Sequence, residues 1–293
     1  MRLSTSTNIT ESIYGEKDYY TIEQSIDSCV LAGYKVMDMN FHSMSRNGIL
    51  TREDWLDWVK RIKDYSDRKG VEYSQSHIYF YNPCEDGITD GKFREELTRR
   101  SIIASGILGV KWAVMHPPTV KDDEWYNREK SLRYNLDWFS RWGELARKHN
   151  VGIAIENMIG PKRGGRFAIS SEDLIELVDT IKDKNIGICW DFGHANLRGV
   201  NQVAALKNIG KRLKATHVND NFGETDQHFA PYFGTIEWEP IMHTLAEIGY
   251  EGDFTFEIHN FTGCVPGQVH QNLVQFSYDL GQYMLSMISK DKN

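Results

Sequence analysis

Eight times along the chain a short apolar run is followed by a longer stretch with helical spacing, and this alternation limits the fold more than any other feature. The spacing predicts strands at 2–6, 35–40, 72–77, 111–116, 152–156, 187–191, 214–218 and 253–257. It predicts helices at 21–32, 51–68, 93–108, 126–149, 171–182, 200–212, 238–248 and 269–288. Trp55, Trp58, Val59 and Ile62 carry the spacing in the second helix, and Thr51 with Asp54 reads as its capping-box start. Gly33, Gly70, Gly109 and Gly249 each stand between a helix and the next strand, where a left-handed C-cap is wanted. A helix between two strands serves as a crossover, so the strands are parallel. Such a sheet either stays open and doubly wound or closes on itself. No GxGxxG follows the first strand and no P-loop occurs, so the marks of an open nucleotide-binding sheet are missing. No linker or composition break divides the sequence. The expectation is an α/β protein, a single (β/α)8 TIM barrel over residues 1–293, with a C-terminal helix at about 269–288.

Composition narrows what such a barrel can do. With 40% hydrophobic and 26% charged residues the chain is globular, and wholesale disorder is excluded. Lys and Arg number 34 against 41 Asp and Glu, a net charge of −7, which argues against nonspecific binding to nucleic acid or anionic membranes. Cys29, Cys84, Cys189 and Cys264 are scattered with no CxxC pair, against a cysteine zinc site or a disulfide scaffold. Cys29 and Cys189 sit in apolar patterns and are expected to be buried. The first ten residues are polar and no apolar run reaches about 18 residues, so the expectation is a soluble cytoplasmic protein without a membrane partner.

Barrel active sites lie at the C-terminal ends of the strands. The third strand ends in His77, the fourth in His116, the fifth in Glu156 and the sixth in Asp191; the seventh carries His217 and the eighth ends in Glu257. Carboxylates converging on one mouth repel each other and desolvate at high cost unless a cation neutralises them. Three carboxylates and one imidazole suit one hard to borderline divalent ion, Mn²⁺ first, with Mg²⁺, Co²⁺ or Zn²⁺ as alternates. His194 follows Asp191 at D-x-x-H spacing, and Asp226 and His228 form D-x-H within TDQHFAPYFGTIEW. Phe41, His42, Tyr79, Phe80, Tyr81, Trp190, Phe192 and Phe261 are placed near the same rim, where aromatic walls suit the apolar faces of a sugar ring. His149, His243 and His270 fall on helix patterns and are expected to be exposed.

The series IEN, WDFGHAN, THVNDN, DQH…GTIEW and FEIHN resembles the xylose-isomerase-like TIM-barrel superfamily. It is most similar to the sugar isomerase/epimerase branch, with its ketose 3-epimerases, hydroxypyruvate isomerase and inosose dehydratase. The resemblance runs along the whole chain and is strongest over 151–260. It implies a single-metal site at Glu156, Asp191, His217 and Glu257, the two glutamates doubling as the acid/base pair, and a substrate contact at His194. Substrate contacts are also expected at His77, His116, Arg166, Asp226 and His228. The superfamily also holds endonuclease IV-type DNA-repair enzymes with three zinc ions. His77, His116, Glu156, Asp191, His194, His217, Asp226, His228 and Glu257 offer a candidate for each of their ligand positions. Against that reading, Glu156 is followed by NMIGPKRGGRF rather than small residues, and WDFGHAN is the sugar-enzyme form. The basic cluster Lys162, Arg163 and Arg166 is a small footprint for a duplex, so a nucleic-acid partner is not expected. Several epimerases carry an arginine just beyond the seventh-strand histidine. Residues 219–225 contain none, so Arg163, Arg166 or Arg198 would have to substitute.

The implied reaction removes a proton from the carbon beside a carbonyl, with the developing enediolate stabilised by the metal. One glutamate takes the proton and the other returns one, giving an isomerase or epimerase of a keto sugar. The runner-up is a dehydratase or lyase that expels a β-leaving group, as in inosose dehydratase or a C-glycoside deglycosidase subunit acting on a 3-keto sugar. His116 or His194 would then be the base. The expected partner is a small sugar or sugar-derived molecule. A homo-oligomer could form through the apolar C-terminal helix (Leu273, Phe276, Tyr278, Leu280, Tyr283, Met284), and a deglycosidase would need a small second subunit.

Overall fold

The computed structural model describes residues 1–10, 20–46, 48–123, 125–160, 165–263 and 265–289. Lys162, Arg163 and Cys264 lie outside them. All eight predicted strands are present: Leu3–Ser6, Val36–Asn40, Glu72–His77, Trp112–Met115, Gly152–Glu156, Ile186–Asp191, Leu213–His217 and Phe254–Phe256. The first seven pair in parallel in sequence order, and the eighth pairs back onto the first with Leu3 opposite Phe254. The last seam closes through Val218, whose N–H donates to Thr255 O at 2.8 Å and whose carbonyl accepts from Glu257 N–H at 3.0 Å. The eight strands therefore form a closed (β/α)8 barrel.

The predicted helices surround it, starting at Ile22–Ala32 and ending at His270–Ser289. A capping box does occur, but at the first helix: Thr21 Oγ1 accepts Gln24 N–H at 3.2 Å and Gln24 Oε1 accepts Thr21 N–H at 2.8 Å. The second helix begins only at Trp55, because Asp54 is engaged by the Arg52 guanidinium instead of capping. Gly33, with φ of 113°, closes the first helix in a conformation that side chains avoid.

Strand residues alternate between two surroundings. Met37, Met39, Ile153, Ile155, Ile188 and Trp190 join the main core under the helices. Val114, Ala154, Cys189 and Ala215 form a separate small cluster inside the barrel. Each of these four stands two residues before a strand-end candidate, His116, Glu156, Asp191 or His217, and so faces the same way. Small side chains here floor the site without filling it.

Several features were not legible as periodicity. Short helices cover Phe41–Arg46, Phe192–Asn196 and His259–Gly263, and Lys121–Asp122 pairs antiparallel with Trp125–Tyr126. His270 is buried rather than exposed: Nε2 donates to Val265 O at 2.9 Å, and the ring stacks on Tyr20. The C-terminal helix turns Met284 inward and packs Tyr278 on Tyr34, leaving Phe276 and Tyr283 exposed. Among the described residues, no helix is long and apolar enough to cross a membrane.

Candidate metal centre

Glu156 stands at the middle of the barrel mouth. Its Oε1 is 3.0 Å from His217 Nδ1, and its Oε2 is 3.0 Å from His116 Nε2 and 3.5 Å from His77 Nε2. Despite these contacts Oε2 makes no hydrogen bond among the described residues. Glu257 approaches from the eighth strand, with Oε2 at 3.5 Å from the same His217 Nδ1. One ligand atom from each of Glu156, Asp191, His217 and Glu257 lies within 4.8 Å of the others, and all four residues are buried. This is the four-residue set that the family resemblance implies.

Besides His77 with His217 and Glu257, two further groups flank it at the same spacing: His77, His116 and Glu156 on one side, His194, Asp226 and His228 on the other. The second is held by its backbone surroundings. His194 Nδ1 is 2.8 Å from Asn157 O, and His228 Nδ1 is 2.8 Å from Glu257 O. Both rings therefore turn Nε2 to Asp226 Oδ2, at 3.6 Å and 3.2 Å. His228 has a φ of 47°, unusual outside glycine, so the loop accepts backbone strain to aim this ring inward.

The electrostatics follow from burial and crowding. Burial alone would raise the Glu156 carboxyl, but His217 and His116 outweigh it and hold it well below the usual carboxylate range. Asp191 goes the other way, raised to about 6 by burial. Burial keeps His116 neutral, with its pKa pushed down to about 3. For His194 and His228 burial opposes the charge, yet their carboxylate neighbours win and raise them to about 10 and about 9. Ion-free, the mouth thus balances its carboxylates with protons on imidazoles, a role a divalent cation can take over.

Sequence reasoning missed the residues that hold the ligands. Asn157 and Asn219 both grip Asp191: Asn219 Nδ2 donates to Asp191 Oδ2 at 2.9 Å, while Asp191 Oδ1 caps the short helix by accepting His194 N–H at 2.7 Å. That crowding explains the glycine of WDFGHAN, since a Cβ on Gly193 would stand 1.8 Å from Asn219 Oδ1. Asp220 organises the loop before GTIEW, accepting Trp238 Nε1–H at 2.9 Å and Tyr232 N–H at 3.0 Å. The signal was an amide or acid one to three residues after a strand-end ligand, as in IEN and HVND.

The aromatic wall is smaller than expected. Phe41, Trp190 and Phe192 are fully buried in the core behind the strands, and Tyr81 packs on Trp138. Phe261 packs on Phe233 and Phe276. His42, Phe80 and His116 do form a stack beside the site, with centroids 3.8 Å apart at each step. Arg166 is partly buried, its charge coupled to Glu156 and its pKa lowered by burial.

The family model for xylose isomerase-like TIM barrels matches residues 26–278. An uncharacterised protein of Methanocaldococcus jannaschii is 32% identical over 71% of this chain and 71% of its own length. A probable endonuclease 4 of Acholeplasma laidlawii is 23% identical over 60% of this chain and 64% of that protein. An inosose isomerase of Bacillus subtilis is 24% identical over 62% of this chain and 64% of that protein. Among solved structures, a D-tagatose 3-epimerase-like protein superposes with a TM-score of 0.71 at 25% identity, covering 97% of this chain and 99% of that one. The IOLI protein, solved with a bound zinc atom, superposes with a TM-score of 0.73 at 18% identity over 99% of both chains. Fold, strand-end residues and family model agree, and the chain belongs to the xylose isomerase-like TIM barrel family.

Proposed function

We propose that this protein is a divalent-metal-dependent enzyme that isomerises or epimerises a keto sugar by moving a proton beside its carbonyl. The observation that carries the reading is the meeting of Glu156 and Glu257 on one imidazole, at 3.0 and 3.5 Å from His217 Nδ1. With Asp191 they form a donor set of three carboxylates and an imidazole, and the unbonded Glu156 Oε2 fits a cation. Mn²⁺ is the proposed ion, with Mg²⁺, Co²⁺ and Zn²⁺ as alternates; the zinc-bound neighbour supports a divalent ion on this fold. A bound ion would supply Lewis-acid polarisation of the substrate carbonyl.

The chain's own groups do the rest. Glu156 and Glu257 arrive from the fifth and eighth strands, so one can take a proton from one face of a substrate carbon while the other returns one to the opposite face. His77, His116, His194, Asp226 and His228 line the mouth as hydrogen-bonding groups for substrate hydroxyls, and Arg166 adds a positive charge near Glu156. The His42–Phe80–His116 stack offers a flat wall to a sugar ring. The test is a screen of free keto sugars, inososes and 3-keto glycosides with added Mn²⁺. Isomer formation supports the reading; elimination alone would move it to the dehydratase or lyase outcome, with His116 or His194 as the base. The cytoplasm is the proposed location, and the exposed Phe276 and Tyr283 are the proposed contact to a second copy.

A second reading rests on the two flanking groups. The central set and the two flanking groups, one of which shares Glu156, have the number needed by a three-zinc DNA-repair endonuclease, and a probable endonuclease 4 is among the relatives. The net charge of −7 weighs against a duplex partner. Metal analysis with an abasic-site duplex separates the two: one ion without incision fits the sugar enzyme, three zinc ions with efficient incision the nuclease.

A further inference from the structure

Asp38 lies on the second strand, two residues before its end, and belongs to none of the motifs read from the sequence. Its side chain is 1% exposed, and neither carboxylate oxygen makes a hydrogen bond among the described residues. A buried carboxylate in that condition is destabilising unless a compensating group faces it. The group facing it is His217, whose Nε2 is 3.8 Å from Asp38 Oδ2. That nitrogen is also buried and also makes no hydrogen bond among the described residues.

The backbone sets this pairing up. The register between the second and third strands slips between Met37 and Asp38, which places Asp38 beside Gln75 on the luminal side. Gln75 in turn reaches across the lumen, donating from Nε2 to Thr216 O at 3.2 Å, one residue before His217. An imidazole has two nitrogens. Here Nδ1 faces Glu156 and Glu257, and Nε2 faces Asp38. The 3.8 Å gap is longer than a hydrogen bond, so the coupling is charge to charge in a buried lumen.

We propose that Asp38 is a positioning residue of the metal centre: its carboxylate keeps the Nε2–H of His217 turned down the lumen and so presents Nδ1 to the ion. This rests on the reading that a divalent ion sits at Glu156, Asp191, His217 and Glu257. A carboxylate behind a metal-bound histidine fixes its tautomer and raises its basicity, and losing one weakens metal binding about 10–100-fold.

Asp38→Asn keeps the side chain's size and removes its charge. The probe is Zn²⁺, titrated into metal-free protein against a chromophoric chelator. The expected result is Zn²⁺ affinity weaker by about 10–100-fold in a variant that still unfolds cooperatively. A purely structural role would instead lower the melting temperature and leave affinity alone. Nitrogen-15 spectra of the Zn²⁺-loaded parent should show a proton on His217 Nε2 and none on Nδ1. Parental affinity in a folded variant would overturn the role of Asp38 while leaving the ion site standing. Failure of the parent to bind Zn²⁺ would overturn the ion site itself. If the variant does not fold, the spectra decide, and a proton on His217 Nδ1 contradicts the proposal.

Discussion

Asn157 and Asp191 clasp each other across two neighbouring strands: Asn157 Oδ1 accepts Asp191 N–H at 2.6 Å, and Asn157 Nδ2 donates to Asp191 O at 2.9 Å. The clasp fixes where Asp191 leaves its strand, and so where its carboxylate stands. Asn157→Ala removes both partners from buried backbone groups, and the expected loss is about 2–4 kcal/mol of unfolding free energy. Denaturant titration measures it. A loss below about 0.5 kcal/mol would mean that the strand ends hold Asp191 without help.

Glu257→Gln should separate chemistry from fold. The residue lies at the C-terminal end of a barrel strand, where side chains serve the reaction rather than the core. Turnover on the identified substrate should fall about a thousandfold or more, since acid/base function and metal placement go together. Stability should stay within about 1 kcal/mol of the parent, because removing one carboxylate relieves as much crowding as it loses in contacts. Near-parental turnover would refute the assignment.

The barrel was legible because its signal repeats: eight apolar runs with helical stretches between them leave few alternatives once nucleotide-binding glycines are missing. Closure brings consecutive strand ends to one mouth, which made His77, His116, Glu156, Asp191, His217 and Glu257 legible as a group, and the family resemblance narrowed them to the four-residue set. Trp190 and Phe192 were misplaced because sequence proximity to the rim does not say which way a side chain points; both pack outward under helices. Asp38 was missed for the opposite reason. It sits mid-strand, and only the register slip and the lumen's interior reveal what it faces. His270 read as a surface residue because helical spacing alone does not show that Tyr20 covers it.

Phe80→Ala tests the aromatic wall. Phe80 lies 3.8 Å, centroid to centroid, from both His42 and His116. Stacking surface of this kind contributes about 0.5–1.5 kcal/mol, so KM should rise about 3–10-fold with kcat changed less. A fall in kcat at constant KM would place Phe80 in positioning His116 rather than in holding substrate.

Metal affinity should rise with pH. Burial opposes charge on His217, but the Glu257 and Glu156 carboxylates outweigh it and hold its pKa well above the usual histidine range. Near neutrality the ion-free ring is therefore protonated, and an ion entering at Nδ1 must displace a proton. The sign follows: acid favours the protonated, ion-free state. The apparent association constant should increase by about tenfold per pH unit while one proton is released. Calorimetry in buffers of different ionisation heat counts the protons; affinity flat between pH 6 and 8 would exclude the linkage.

The most direct measurement of the central claim is deuterium exchange. Protein stripped of metal is incubated in D₂O with a panel of keto sugars, inososes and 3-keto glycosides, with and without added Mn²⁺, and the carbon beside the carbonyl is followed by proton NMR. A metal-dependent enzyme with Glu156 and Glu257 as its acid/base pair predicts deuterium wash-in at that carbon for at least one substrate. The exchange should be abolished by chelation, restored by Mn²⁺ or Co²⁺, and lost in Glu257→Gln. Equal exchange in metal-free protein, or no exchange on any substrate alongside zinc-dependent incision of an abasic duplex, would contradict it.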